Sequence, residues 1–197
     1  MAAEKFLFDY LNTPSPTGFE WRGQQVWMDY LRPFADDFII DTYGTCVAVV
    51  NPGQDYKVVL EAHADEISWF VHHITSEGFL YVKRNGGSDP INAPGKRVRI
   101  FGDKGEVQGI FGWPAIHVRK EGKEEMPKVT NIFVDVGATS EREVREMGIR
   151  AGSVMIYEDQ FTVLNDRFWV GRALDNRIGG YMIAQVLRRL RDSGRPI

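Results

Sequence analysis

A chain of 197 residues with 43% hydrophobic and 26% charged side chains can build one ordinary domain or two small ones around a real core. A formal charge of -3 argues against a nucleic-acid partner, which calls for a basic excess. The single cysteine excludes an internal disulfide framework and fits a reducing compartment.

Met1 to Asn12 mixes charges with aromatics and does not read as a signal peptide, and no apolar run is long enough to span a bilayer. A cytoplasmic protein with no membrane association is expected. Phe6, Leu7, Tyr10 and Leu11 fall at helical spacing, and Pro14 and Pro16 stop that helix. Thr17-Gly18-Phe19-Glu20 reads as a turn in which Thr17 caps the next helix, because Thr-x-x-Glu is the capping-box pattern. That helix should carry Val26, Tyr30, Leu31 and Phe34 inward. Three strands are expected next, Phe38 to Asp41, Thr45 to Val50 and Lys57 to Ala62, with turns at Tyr43-Gly44 and Asn51-Pro52-Gly53. Cys46 sits in the apolar run Cys46-Val47-Ala48-Val49-Val50 and reads as packing, not as a nucleophile.

The texture changes after Glu66. Residues 67 to 162 are short apolar runs broken by Gly and Pro: Ile67 to Ile74, Phe79 to Lys83, Arg97 to Phe101, Gly105 to Phe111, Asn131 to Val136 and Val154 to Tyr157. Strands this short with turn chemistry between them suggest a small β-barrel or sandwich. One helix interrupts them at Ser140 to Met147, with Ser140 as N-cap, Glu143 three residues on and Gly148 as the stop. His72 and His73 should face opposite ways, one exposed and one packed, and His117 should face a partner or solvent. Asn85 to Asp89 reads as a flexible connection and Lys120 to Lys128 as a solvated loop. From Phe168 the pattern returns to strand then helix, Asp175 to Arg191, with Ile178, Met182, Val186 and Leu190 on one face. Gly194-Arg195-Pro196 reads as the stop of that helix. The expected organisation is an α/β domain split between residues 1–66 and 163–197, with a mostly β domain at 67–162 inserted into it.

Two segments more than a hundred residues apart carry the chemistry. Glu61-Ala62-His63-Ala64-Asp65-Glu66 follows Val58-Val59-Leu60 and should lie at the end of a buried strand. Gly171-Arg172-Ala173-Leu174-Asp175-Asn176-Arg177 follows Phe168-Trp169-Val170, placing Asp175 where strand gives way to helix. A histidine and an acid delivered at strand ends are what a metal site in an open α/β sheet requires. Residues two apart on an extended segment share a side, so the Asp65 carboxylate can hydrogen-bond the second nitrogen of His63 and fix its tautomer. A bland reading accounts for the same residues: His63 satisfied by a backbone carbonyl, Asp65 and Glu66 solvated. Asp175 could equally be a first-turn acid favoured by the helix dipole, with Arg177 pairing a nearby acid. Arg172 and Asn176 could hydrogen-bond a ligating carboxylate. No Ser or Cys nucleophile elbow is present.

The order and separation of four motifs resemble one family. They are Gly18-Phe19-Glu20, Glu61 to Glu66 followed by Ile67, Asp135-Val136-Gly137-Ala138 before the helix ending Glu146-Met147-Gly148, and Ala173-Leu174-Asp175-Asn176-Arg177. Together they are similar to the glutamyl aminopeptidase/endoglucanase-like family of co-catalytic metallopeptidases, which includes the tetrahedral aminopeptidases. The resemblance implies an open sheet flanked by helices, an incomplete phosphorylase/hydrolase-like peptidase domain, carrying an inserted barrel-like or PDZ-like β domain. It implies His63 as first metal ligand, Asp65 as the catalytic-site acid supporting it, and Asp175 as the carboxylate bridging two ions, usually zinc or cobalt. It implies release of N-terminal residues from peptide substrates, and homo-oligomers in which dimers build a dodecamer through the inserted domain. The chain departs from the family pattern after the helix at Asp175: an adjacent Glu-Glu pair, a further acid and a late histidine are not found, so it resembles the N-terminal half and is expected to be inactive alone. Asn176 stands where an aspartate is commoner, and Thr17 where a serine is. Two other readings are a non-catalytic assembly module and, from the family label alone, an endoglucanase, which would need two opposed carboxylates.

Overall fold

The computed structural model describes residues 2–119 and 125–194, so part of the charged excursion at 120–128 and the Arg195-Pro196 pair lie outside the described residues. In chain order the elements are α1 (Ala2–Asn12), α2 (Trp21–Leu31), β1 (Asp37–Ile40), β2 (Cys46–Val49), β3 (Ser68–Ile74), β4 (Leu80–Asn85), β5 (Arg97–Gly102) and β6 (Gly105–Gly112). After them come β7 (Phe133–Asp135), α3 (Glu141–Glu146), β8 (Val154–Tyr157), β9 (Thr162–Leu164), β10 (Phe168–Val170) and α4 (Leu174–Asp192). The chain forms two compact units, Met1–Glu66 with Gln160–Ile197, and Ile67–Asp159. No described helix is long and apolar enough to cross a membrane.

In the first unit, helices α1, α2 and α4 share a core of Phe6, Tyr10, Trp27, Met28, Leu31 and Ala184. The 3.6-residue spacing of Phe6, Leu7, Tyr10 and Leu11 buries all four, as the period requires. Tyr30 and Phe34 pack partly buried at the rim, where the ring of Phe6 stacks on Tyr30. The inner face of α4 differs from the one its large apolar residues suggest. Met182, Val186 and Leu190 are exposed, whereas Gly180, Ala184 and Leu187 are buried. Small residues win the inner face because the helices cross closely there: a Cβ at Gly180 would stand 2.6 Å from the Tyr10 hydroxyl, and the Trp27 indole N–H donates to the Gly180 carbonyl at 2.9 Å.

The strands of this unit pair in twos. β1 and β2 form an antiparallel hairpin, Ile40 opposite Cys46, whose turn is fixed by the Asp41 carboxylate accepting the N–H groups of Tyr43 and Thr45. β9 and β10 form a second, turned at Asn165 and Asp166, both at positive φ. Cys46 is a free, half-buried cysteine that packs against the helical core. The expected third strand, Lys57 to Ala62, is not a strand: among the described residues it finds no pairing partner, and Val58 and Val59 are about three-quarters exposed at 73% and 76%. The expectation of His63 at the end of a buried strand is corrected accordingly. The described residues hold two two-stranded sheets in this unit, and the segment before His63 is extended and exposed.

The second unit is a closed antiparallel barrel in the order β3-β4-β7-β6-β5-β8, with β8 pairing back onto β3. Closure satisfies both edges of every strand, which short strands need because an unpaired edge leaves backbone groups orphaned. Trp69, Leu80, Ile100, Val134 and Met155 fill its interior. Ser140 caps α3 as its sequence signals, accepting the Glu143 N–H, while the Glu143 carboxylate takes the Thr139 N–H at 2.7 Å. Gly148 ends the helix at φ 88°, a conformation that favours glycine. A bulge between Val71 and His73 breaks the alternation of β3, so His72 and His73 are both exposed, against the expectation of one packed imidazole. The connection after β4 is less free than its glycines suggest: Ser88 is buried and donates to the Ser68 carbonyl at 2.7 Å. His117 lies exposed in a short 3-10 turn.

Candidate functional site

The segment carrying His63 is held at its far end. Pro16 and Glu66 form an isolated parallel bridge, in which the Glu66 N–H donates to the Ser15 carbonyl at 2.8 Å and the Thr17 N–H to the Glu66 carbonyl at 3.2 Å. Thr17 therefore does not cap α2, whose N-cap residue is Glu20 with no side-chain cap bond. Its hydroxyl is taken by Asp65 instead, donating to Oδ2 at 2.5 Å. A tertiary acceptor has outcompeted the local capping pattern.

The segment carrying Asp175 is shaped by departures from helical geometry. Ala173 is left-handed at φ 64°, Asp175 and Asn176 have non-helical torsions, and the peptide bond between them is cis. Regular helix begins only after Asn176, so Asp175 is not the first-turn helical acid that its sequence context suggests. Its side chain is 98% exposed.

The structure brings the three sequence-predicted residues together. His63 Nδ1 lies 2.9 Å from Asp65 Oδ1, and His63 Nε2 lies 3.2 Å from Asp175 Oδ1. A neutral ring donating from Nδ1 to the Thr17-anchored Asp65 turns the lone pair of Nε2 toward the Asp175 carboxylate, whereas a ring protonated on both nitrogens donates to both carboxylates. Two acceptors facing one another at that distance repel unless a cation or a second proton stands between them. The spacing suits two ligands of one ion: with bonds of ~2.0–2.2 Å, ligands sit roughly 2.8–3.6 Å apart as the angle between them opens from a right angle to the tetrahedral value. Asp65 faces the other ring nitrogen, so two donors converge on the gap. No group of three or more His, Cys, Asp or Glu side chains placed to hold an ion occurs among the described residues.

Behind this pair lies a buried ionic group. Glu66, which its sequence context leaves solvated, is 3% exposed, and Arg177 is 0% exposed. Glu66 Oε1 accepts the Ser15 N–H at 2.8 Å, and Oε2 stands 2.8 Å from Arg172 Nε. Arg177 Nη1 is 4.0 Å from Glu66 Oε1 and donates to the Thr13 carbonyl at 2.7 Å. Burial pulls the Arg177 guanidinium down from its ordinary value, opposed by Tyr10 and Glu66, and burial pushes the Tyr10 phenol up. Arg172 thus pairs with Glu66. Sequence reasoning misses Thr17, Glu66 and Arg172 in these places, because each partner lies far off along the chain.

Solved structures sharing this fold include aminopeptidases. A TET aminopeptidase from a marine-sediment archaeon of the Thaumarchaeota superposes with a TM-score of 0.93 at 26% identity, covering 98% of this chain and 55% of that one. A TET peptidase of Pyrococcus horikoshii, which can assemble into a tetrahedron or a large octahedral shell, gives a TM-score of 0.86 at 26% identity, covering 97% of this chain and 57% of that one. Among sequence relatives, the lysyl aminopeptidase of Pyrococcus furiosus is 34% identical over 183 residues, which cover 91% of this chain and 53% of that protein. Residues 44–197 match the family described as M42 glutamyl aminopeptidase. The chain belongs to that family. It spans about half the length of the curated relatives it matches.

Proposed function

We propose that this chain supplies part of the co-catalytic metal site of an aminopeptidase that releases N-terminal residues from peptides. The observation that carries the proposal is His63 Nε2 set 3.2 Å from a solvent-facing Asp175 oxygen while Nδ1 faces Asp65 at 2.9 Å, an arrangement that a divalent cation can complete. Two divalent ions, zinc or cobalt, are the proposed cofactors, and when bound they supply Lewis acidity that activates water and stabilises charge on the scissile carbonyl. His63 offers Nε2 as a ligand, Asp65 holds the ring in its Nδ1–H tautomer, and Thr17 holds Asp65. Asp175 would offer its solvent-facing carboxylate as a further ligand. Its exposure leaves the gap open to substrate and water.

Family membership and the aminopeptidase names of the relatives support this reading. An imidazole set between two carboxylates has no part in glycoside hydrolysis, which disfavours the endoglucanase alternative. A base and further ligands are proposed to come from outside residues 1–197, since the described donors are too few for two ions. In the same reading, residues 1–66 and 163–197 form one split peptidase domain of a cytoplasmic protein, and residues 67–162 serve homo-oligomerisation. The assembling TET peptidase supports homo-oligomerisation as such.

The test is hydrolysis of aminoacyl p-nitroanilides with added zinc or cobalt. The whole gene product should turn them over, and His63→Ala or Asp175→Ala should lower kcat/KM at least ~100-fold. Residues 1–197 alone should give little hydrolysis, and robust turnover by them would contradict the donor count.

A further inference from the structure

We infer that Glu66, Arg172 and Arg177 form a buried ionic clasp whose work is to position His63 against Asp175, making them positioning residues of the proposed metal site, on which reading this inference rests. The clasp joins the same two segments as the site. Glu66 directly follows Asp65 and lies three residues from His63, whereas Arg172 and Arg177 bracket Asp175. It also grips the end of α1: Arg172 Nη2 donates to the Asn12 carbonyl at 2.9 Å, and Arg177 donates to the carbonyls of Thr13 and Tyr10. Cations at a helix C-terminus are favoured by its dipole. The chain then runs from that helix end to Ser15, which binds the Glu66 carboxylate, and Thr17, which holds Asp65.

Stability alone does not call for such a group. Burying ions is costly, and a well-packed apolar cluster of similar volume is often at least as stable. A clasp of charges does differ from an apolar cluster in fixing direction, here through the hydrogen bonds that Glu66 accepts from the Ser15 N–H and that Arg172 and Arg177 donate to the Asn12 and Thr13 carbonyls. Direction is what a two-ligand gap needs, because a misplacement of about 1 Å at a reacting centre can cost ~100-fold in rate.

The experiment uses residues 1–197 carrying Glu66→Gln, which keeps the size and the acceptor for Ser15 but removes the charge. Arg172→Met, which keeps the apolar stem, is the second variant. Two readouts are taken: Co(II) affinity by absorption titration, and the metal-free ring signals of His63 in a 15N correlation spectrum, assigned with His63→Gln. In the wild type the ring should report the Nδ1–H tautomer. In both variants, with unchanged circular dichroism, the ring should drift toward mixed tautomers and the Co(II) Kd should rise ~10–100-fold. A folded variant that keeps the ring spectrum and binds Co(II) within threefold of wild type overturns the inference. Variants that fail to fold overturn it as well, because the charges would then be holding the unit and not the site. If the wild type binds no Co(II) while the variants still alter the ring, the clasp stands and the metal reading falls; binding that no clasp variant changes gives the reverse.

Discussion

The barrel and the unit bearing His63 spend their buried residues differently. In the barrel, every strand from β3 to β8 is paired on both sides, and inaccessible positions such as Trp69, Ile100 and Met155 are apolar. In the other unit the strands pair only in twos, an apolar run at 58–60 lies exposed, and the inaccessible residues include Glu66 and Arg177. The first pattern yields stability from area removed from water. The second gives up part of that gain to hold particular side chains in particular directions. Changes inside the barrel should therefore register as lost stability, and changes around the clasp as lost site geometry.

The sharpest contrast comes from two substitutions. Trp69→Ala should lower the unfolding free energy by about 3–5 kcal/mol, because it empties a fully packed core position. Val59→Ser, on the exposed run, should stay within ~0.5 kcal/mol. Urea denaturation of both variants reads the difference, and a comparable cost at the two positions would break the comparison. Next in size is Gly180→Ala, whose added Cβ meets the Tyr10 hydroxyl at 2.6 Å. Overpacking that helix crossing should cost ~1–3 kcal/mol in the same assay.

Thr17→Val tests the site half of the contrast. It removes the hydroxyl donated to Asp65 and should cost about 1 kcal/mol or less in stability, while the His63 ring loses its single tautomer by NMR. An unaltered ring would show that Asp65 needs no anchor.

The smallest effect is a pH dependence. The Asn51 N–H, then the Arg191 side chain, holds the Asp36 carboxyl below its ordinary value of 3.8. A depressed folded-state value means the contribution is fully present above 3.8 and fades as pH falls through the folded value. Asp36→Asn should therefore lower the stability slightly in the neutral region and leave it unchanged once pH falls below the folded value, so that the two curves converge in acid, which thermal melts across an acid series would show.

The elements legible in the sequence are those fixed locally. The apolar spacing of α1, the Ser140 and Glu143 cap of α3 and the run Val154–Tyr157 of β8 each appear where periodicity and capping put them. The barrel was legible as many short runs with turn residues between them. What failed depends on partners distant in sequence. Lys57 to Ala62 reads as a strand because its side chains suit one, but pairing is not a local property. Thr17 has a capping pattern yet bonds Asp65, and α4 turns its glycine and alanine inward because the Tyr10 and Trp27 side chains leave no room for larger ones. Of the site, the meeting of His63, Asp65 and Asp175 was legible through the order of motifs. The burial of Glu66 and Arg177 was not, since a charged residue announces its exposure and only the folded chain reveals its partner.

The most direct measurement is anomalous diffraction from crystals of the protein grown with zinc or cobalt. The account predicts a peak at ~2.0–2.2 Å from both His63 Nε2 and Asp175 Oδ1, with the His63 ring still bonded to Asp65 through Nδ1. A clean map with no peak there, and an imidazolium hydrogen-bonded to both carboxylates in the gap, would contradict it.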